Sequence, residues 1–232
     1  MNNYSSCMSC KILEETYFSW ISRDDLFFLD KKKTSTIYEA GQIIFHEGAY
    51  PNGIFCVQSG KLKIYKEGKD GRSQIVRLAT PGMFLGIRSL LGREKYAASA
   101  MALEDSAVCF VNRSDFFEII AKYPKIAENL MTNLSKLLLE AEEKILSIAQ
   151  NPVRQRLAEA LLILGKIYCE DDENKKQGSI CMSREDLANI VGTATESVIR
   201  ILSEFKEDKL IATKGRRIII LDSEKLNRIM VS

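Results

Sequence analysis

Three groups of residues in this 232-residue chain could do chemistry, and each asks for a different partner. The first is the run Thr195-Glu196-Ser197-Val198-Ile199-Arg200. Arginine can donate two hydrogen bonds to guanine, and glutamate can accept from the amino group of cytosine, so Glu196 and Arg200, one helical turn apart, can read base edges. Ser183, Thr193, Thr195, Ser197 and Ile199 complete the candidate DNA-contacting set together with Lys214 and Arg216, which cluster with Lys209 and Arg217 where they could neutralise phosphates. The second group is Cys7-Met-Ser-Cys10, with Cys109 far along the chain. In a reducing compartment such thiols are metal ligands, redox centres or buried apolar residues. The third is His46, the sole histidine. A jelly-roll metalloenzyme needs several histidine ligands and a Ser–His–Asp site needs partners around its histidine, so neither is expected. With no phosphate-binding or dinucleotide glycine fingerprint either, the sequence does not read as an enzyme.

The elements that must position these residues follow from the pattern. Met182–Arg200, MSREDLANIVGTATESVIR, predicts two short helices around a tight turn, the layout of a helix-turn-helix. Ser183 followed by Asp186 suits a helix start, Leu187, Ile190 and Val191 fall on one face, and Gly192 permits the turn. Thr193 with Glu196 predicts a second capping box, and Val198, Ile201, Leu202 and Phe205 the buried face of the second helix. Leu210–Leu221, LIATKGRRIIIL, predicts two strands about Lys214-Gly215, a basic wing. Residues 152–232 hold 14 Lys+Arg against 13 Asp+Glu, so DNA binding would rest on local placement of charge. The rival reading, a ligand-binding module that uses its winged helix for protein interaction, is opposed by Arg200 and the basic wing.

Upstream, Lys125–Ala149 predicts a long helix in which Ala127, Met131, Leu134, Leu138, Ala141, Ile145 and Ile148 step alternately by four and three. That seam predicts a two-stranded coil and a homodimer, with Leu130 and Leu137 widening the apolar face. Asn151-Pro152 then breaks the helix. The first half carries short β-prone runs at Thr34–Tyr38, Ile43–His46, Gly53–Gln58, Lys61–Tyr65, Gln74–Leu78 and Ser106–Val111, separated by glycine- and proline-containing turns and preceded by a helix near Asp24–Lys31. Their close spacing suggests a small barrel or jelly roll. Hydrophobic residues make up 46% of the chain, enough for real cores, yet no run approaches a membrane span and the start lacks a signal-peptide pattern. A cytoplasmic location with reduced cysteines is the expectation, and Cys56, Cys169 and Cys181 sit in apolar stretches that suit a core.

The segments IIFHEG, GIFCVQSGKLKIYKEGKDGRSQIVRLATPGMFLG, ALEDSAVC and LANIVGTATESVIRIL, in this order, resemble the regulator family typified by the cAMP receptor protein and the oxygen sensor FNR. The resemblance implies an α+β chain: an N-terminal cyclic-nucleotide-binding-like β jelly roll, a long dimerisation helix and a C-terminal winged helix-turn-helix. The corresponding divisions are a cysteine-containing segment at 1–23, the sensor domain at 24–122, the dimer helix at 123–150 and the DNA-binding domain at 151–232. It implies a transcription regulator, activator or repressor, that reads a near-palindromic operator on double-stranded DNA and has RNA polymerase as its onward partner. Members that bind cAMP carry a glutamate and an Arg-Ser pair in the segment that here reads Gly86-Ile87-Arg88-Ser89, followed by Tyr96-Ala97. Ile87 stands where the glutamate should be, and Tyr96 and Ala97 where the Arg-Ser pair should be, so cAMP is not the expected effector. Cys7, Cys10 and Cys109 fall where the oxygen sensor holds iron–sulfur ligands, but Thr16 replaces a further cysteine. A cluster one thiolate short, a zinc clip and a thiol–disulfide switch all stay open. Glu196 and Arg200 match the base-reading residues of the cAMP receptor protein, while Thr195 replaces its first arginine.

Overall fold

Turn residues fix where the strands of the N-terminal half begin and end, and alternation along them decides what each face covers. The computed structural model describes residues 6–169 and 179–231, so the first five residues of the expected N-terminal segment lie outside the described residues. The chain divides into two units, residues 1–70 with 76–139 and residues 71–75 with 140–232.

In the first unit, short 3-10 turns at Cys7–Ser9, Leu13–Glu15 and Tyr17–Trp20 lead into α1 (Arg23–Lys32). Ser22 caps this helix by accepting from the Asp25 N–H, and acids in its first turn and lysines in its last complement the helix dipole. The strands follow: β1 (Thr34–Tyr38), β2 (Ile43–Phe45), β3 (Gly53–Ser59), β4 (Leu62–Glu67), β5 (Ser73–Ala79) and β6 (Phe84–Leu85). After the short α2 (Ile87–Gly92) come β7 (Ser99–Ala102) and β8 (Ser106–Asn112), then α3 (Arg113–Lys122) and α4 (Pro124–Gln150), whose residues from 140 on belong to the second unit. Two four-stranded sheets form, ordered β1-β8-β3-β6 and β2-β7-β4-β5. This is the expected jelly roll.

Period-two alternation makes the first sheet a wall with two apolar faces. Val57 and Val108 point inward with Leu62, Ile64, Leu85 and Ala100 to fill the roll. Their neighbours Ile54, Cys56 and Val111 point outward, under Phe18, Leu26, Leu29, Phe116, Ile126 and Leu130. β6 and β7 were not legible in the sequence. β6 is two residues long, and Ser-Ala-Met-Ala of β7 has weak strand propensity and is held by pairing with β2 and β4 on its two sides.

Helix α4 is unbroken over its 27 residues. Leu130 is buried, whereas Met131, Leu138, Ile145 and Ile148 are 61%, 62%, 68% and 42% exposed. Ala141 is exposed too, and Leu134 is half-buried.

In the second unit, α5 (Val153–Cys169) starts just past Pro152, which suits a first-turn position. It is followed by β9 (Ser179–Cys181), α6 (Arg184–Val191), α7 (Thr195–Glu207), β10 (Ile211–Lys214), β11 (Arg217–Ile220) and α8 (Ser223–Met230). The three strands form one antiparallel sheet ordered β10-β11-β9, so the wing has a third strand that the sequence reading did not find. Leu157, Leu161, Leu164, Leu187, Val191, Val198, Leu202, Phe205, Ile218 and Leu226 are buried in this unit. Gly165 is required for packing: a Cβ there would lie 2.7 Å from Ile220 Cδ1. Cys56 is buried as expected, but Cys169 and Cys181 are exposed, which corrects their reading as core. Cys181 alternates with buried Ile180 along β9, so the apolar stretch that contains it turns only one face inward.

Candidate functional site

The helix-turn-helix begins with a side chain already committed to a cap. Ser183 Oγ accepts from the Asp186 N–H at 2.9 Å and donates to Asp186 Oδ2 at 2.6 Å, closing the first turn of α6. Gly192 ends α6 in the left-handed region at φ 73°, and its N–H donates to the Ala188 carbonyl. The second capping box does not form. The N-cap of α7 is Ala194, without a side-chain bond, so Thr193 stays in the turn and Glu196 is released from capping.

Val198, Ile201, Leu202 and Phe205 are the buried stripe of α7, as the spacing predicts. On the other side Glu196 and Arg200 are exposed, Ile199 is 50% exposed, and Thr195 and Ser197 are half-buried. Arg200 Nη1 donates to Glu204 Oε1 at 2.6 Å. Glu204 in turn pairs with Arg154 of α5, whose guanidinium also reaches Asp208 Oδ2 at 3.1 Å and lies 4.8 Å from the Phe205 ring centre. Arg200 is thus linked through one carboxylate to the scaffold helix behind it. This link was not legible in the sequence, where Arg154 and Glu204 are 50 positions apart.

The wing brings its charges to one tip. Lys214 and Arg217 are paired at the end of the β10–β11 ladder, and Lys214, Gly215, Arg216 and Arg217 are all exposed. Arg184 Nη2 donates to the Gly215 carbonyl at 3.1 Å and Nη1 to the Arg216 carbonyl at 3.5 Å, fastening the tip to the start of α6. Arg184 is a positioning residue that sequence reasoning missed.

The candidate ligand-pocket residues of the jelly roll differ in their exposure. Gly86 takes φ 85° and starts α2. Ile87 and Ser89 are buried, Arg88 is exposed, and Ala97 is half-buried. Tyr96 is 6% exposed and stacks on Phe45 with ring centres 4.0 Å apart. Phe45 lies against Phe55, and Phe55 against Phe110, at 5.6 and 5.0 Å. Tyr96 thus ends a row of aromatic rings in the roll. Burial pushes the Tyr96 phenol up to about 12.

On the outer wall the N-terminal turn meets the sheet. Asp30 Oδ1 accepts from the Cys7 N–H at 2.7 Å, and Asp30 Oδ2 from Ser6 Oγ at 2.5 Å. Burial would raise the Asp30 carboxyl, but these bonds hold it below the usual range. Lys33, its side chain only 6% exposed, stands 3.5 Å from Asp30 and 3.9 Å from Cys109 Sγ. Ser35 Oγ is 3.3 Å from the same sulfur. Burial alone would lower the Lys33 ammonium, and the neighbouring Cys109, Cys7 and Asp30 raise it instead. Cys7 and Cys109 both pack against the outer apolar cluster, and burial pushes the Cys7 thiol up to about 12. Cys10 closes the Cys7–Ser9 turn. Thr16 is buried and occupied, its Oγ1 donating to the Leu13 carbonyl and accepting from the Phe18 N–H. Among the described residues, no three His, Cys, Asp or Glu side chains stand close enough to hold one metal ion, and no helix is long and apolar enough to cross a membrane.

Comparison with known proteins accounts for both units. Residues 36–123 match the cyclic nucleotide-binding domain and residues 155–229 the Crp-like helix-turn-helix domain. The chain is 26% identical over 226 residues to the transcriptional activator protein Anr of Pseudomonas protegens, across 97% of this chain and 92% of that protein. It is 25% identical over 222 residues to the fumarate and nitrate reduction regulatory protein of Vibrio cholerae, across 95% and 88%. Among solved structures, FixK2 from Bradyrhizobium japonicum superposes with a TM-score of 0.73 at 25% identity, covering 85% of this chain and 96% of that one. A jelly roll and a winged helix-turn-helix in this order, matched by both domain families and by regulators along nearly their whole length, mean that the chain belongs to the CRP/FNR family of DNA-binding transcription regulators.

Proposed function

We propose that the protein acts as a homodimer joined along α4, reads a near-palindromic operator with Glu196 and Arg200, and answers to a redox signal rather than to cAMP. The observation that carries the operator reading is the two-sided character of α7. Its apolar face is fully used in the core, while Glu196, Ile199 and Arg200 stand exposed with the Lys214–Arg217 tip in the same unit. The exposed Met131–Ile148 seam supports the dimer, because a single chain leaves those side chains in water. Two recognition helices then address half-sites about one DNA turn apart. RNA polymerase is the proposed onward partner and the cytoplasm the place of action.

Binding-site selection from random duplexes tests this directly. The expected product is a near-palindrome bound at low salt and weakened at high salt. Absence of binding at any salt would sink the operator reading in favour of a protein-interaction role for the winged helix.

The redox input is supported by the thiols drawn together around Lys33, and the aromatic row at Tyr96 opposes a nucleotide in the roll. An iron–sulfur cluster held there would supply a centre that oxygen or an oxidant can convert. Cys7, Cys10 and Cys109 alone leave such a cluster one thiolate short. Anaerobic purification with iron and sulfide analysis separates a cluster from a colourless, thiol-based switch.

A further inference from the structure

We infer that Ile199 is a specificity residue for the operator and reads the C5 methyl of a thymine beside the guanine that Arg200 reads. This rests on the operator reading above and goes beyond it by naming a base that neither Glu196 nor Arg200 fixes.

The placement comes from helix spacing. Residues three and four apart share a face of a helix, so Glu196, Ile199, Arg200 and Ser203 form one surface row of α7. All four are exposed, while Val198, Ile201, Leu202 and Phe205 face the core. The other exposed residues of the helix, Lys206 and Glu207, are charged, so Ile199 is the one exposed apolar side chain of α7. Its polar neighbours are drawn elsewhere. Ser203 Oγ donates to the Ile199 carbonyl at 3.0 Å, and the Arg200 guanidinium reaches on to Glu204 at 2.6 Å. A helical side chain leans back over the turn before it, so Ile199 lies toward Thr195, a methyl-bearing residue one turn earlier. Together they put an apolar step in the N-terminal half of α7, the part of a recognition helix that meets base edges.

A single exposed apolar side chain on an ordinary surface needs no explanation. Two observations take Ile199 beyond that. It stands between the two side chains that can read base edges. And the same unit carries the exposed cations Lys214, Arg216 and Arg217, which suit a phosphate backbone. An isoleucine has no donor or acceptor, so it bonds neither a phosphate nor a polar base edge. Pressed against the floor of the major groove, it would leave a polar edge desolvated and unpaired, which is costly. The thymine methyl is the one apolar group that the groove displays. Branching at Cβ holds isoleucine to one strongly preferred rotamer in a helix, so this contact orders little that was free.

The test starts from the duplex that the wild-type chain selects, with the thymine beside that guanine replaced by deoxyuridine in both half-sites. Deoxyuridine keeps the hydrogen-bonding groups and lacks only the methyl. Losing one buried methyl should weaken wild-type binding about fourfold per half-site, or about 15-fold for the dimer, by anisotropy titration. Ile199→Ala should bind the two duplexes alike while keeping the guanine preference set by Arg200, with a thermal melt to show that it folds. Ile199→Val keeps branched methyls and should keep the discrimination. A wild-type chain that binds both duplexes alike, or selects no thymine beside that guanine, overturns this inference and leaves the operator reading intact. Ile199→Ala that still discriminates by the wild-type factor does the same. A wild-type chain that selects no sequence at all overturns both.

Discussion

Replacing Arg200 by alanine isolates the base-reading claim, because the structure limits what else the change can do. The side chain is 69% exposed, and its pairing with Glu204 is an i,i+4 contact on a helix surface. Such a pair contributes about 0.3–0.5 kcal/mol, so folding should move by no more than that. A bidentate arginine–guanine contact discriminates by about 1–3 kcal/mol, which corresponds to roughly 5- to 140-fold in affinity for each half-site. The loss at the operator should therefore exceed any loss of stability several-fold. Glu204→Gln supplies the contrast. It frees Arg200 from its tether and removes one partner of Arg154, yet takes away no base contact, so operator affinity should change less than about threefold and base preference should stay. Anisotropy titrations of a labelled selected duplex against random DNA, at two salt concentrations, read both quantities, and a thermal melt controls for folding. If Arg200→Ala selects the same base at every position, or loses affinity equally on random DNA, Arg200 touches phosphate and the reasoning fails.

Other expectations follow from the same structure. Lys214→Ala or Arg216→Ala should weaken binding to all sequences alike and lower the salt slope by about one unit each per half-site, read from log affinity against log salt. Leu138→Lys places a charge on both sides of the proposed α4 seam, so sedimentation should show monomer, while an unchanged dimer would move the interface elsewhere. Tyr96→Ala removes a buried ring stacked on Phe45 and should cost about 3–5 kcal/mol of stability by denaturant titration. In wild type, added cAMP should leave the melting temperature where it was. Cys7 keeps its proton in the fold up to about 12 while the unfolded thiol releases it near 9.0, so its contribution to stability is full below 9.0 and lost as pH rises toward about 12. At pH 8 the exposed Cys169 and Cys181 should alkylate well before Cys7, and simultaneous labelling would contradict its burial.

The parts of this fold that were legible in the sequence are those whose cause is local. Turn glycines and β-prone runs gave β1 to β5 and β8, and helical spacing gave α4 and the buried stripe of α7. What was not legible depends on distant partners. β7 is a strand because β2 and β4 flank it, and β9 because β11 offers an edge. The second capping box was a sound local signal that lost to the turn, since the backbone makes Ala194 the cap. The base-reading pair could be named from spacing, whereas Arg184 at the wing tip and Arg154 behind Glu204 could not. Cys56 shows the limit most clearly. Its apolar neighbours predict burial correctly, but nothing in linear spacing says that residue 109 will stand opposite it.

The β3–β8 pair is a partition with a room on either side. Cys56 and Cys109 look into one room, while Val57 and Val108, a single peptide further along, look into the other. Each room can be refurnished with little disturbance to its neighbour's contents, because the pleat sends adjacent side chains in opposite directions. Changes among the aromatic rings of the inner room should therefore leave the contact between Cys109 and Lys33 in the outer room in place. Both rooms would still lean on the same backbone.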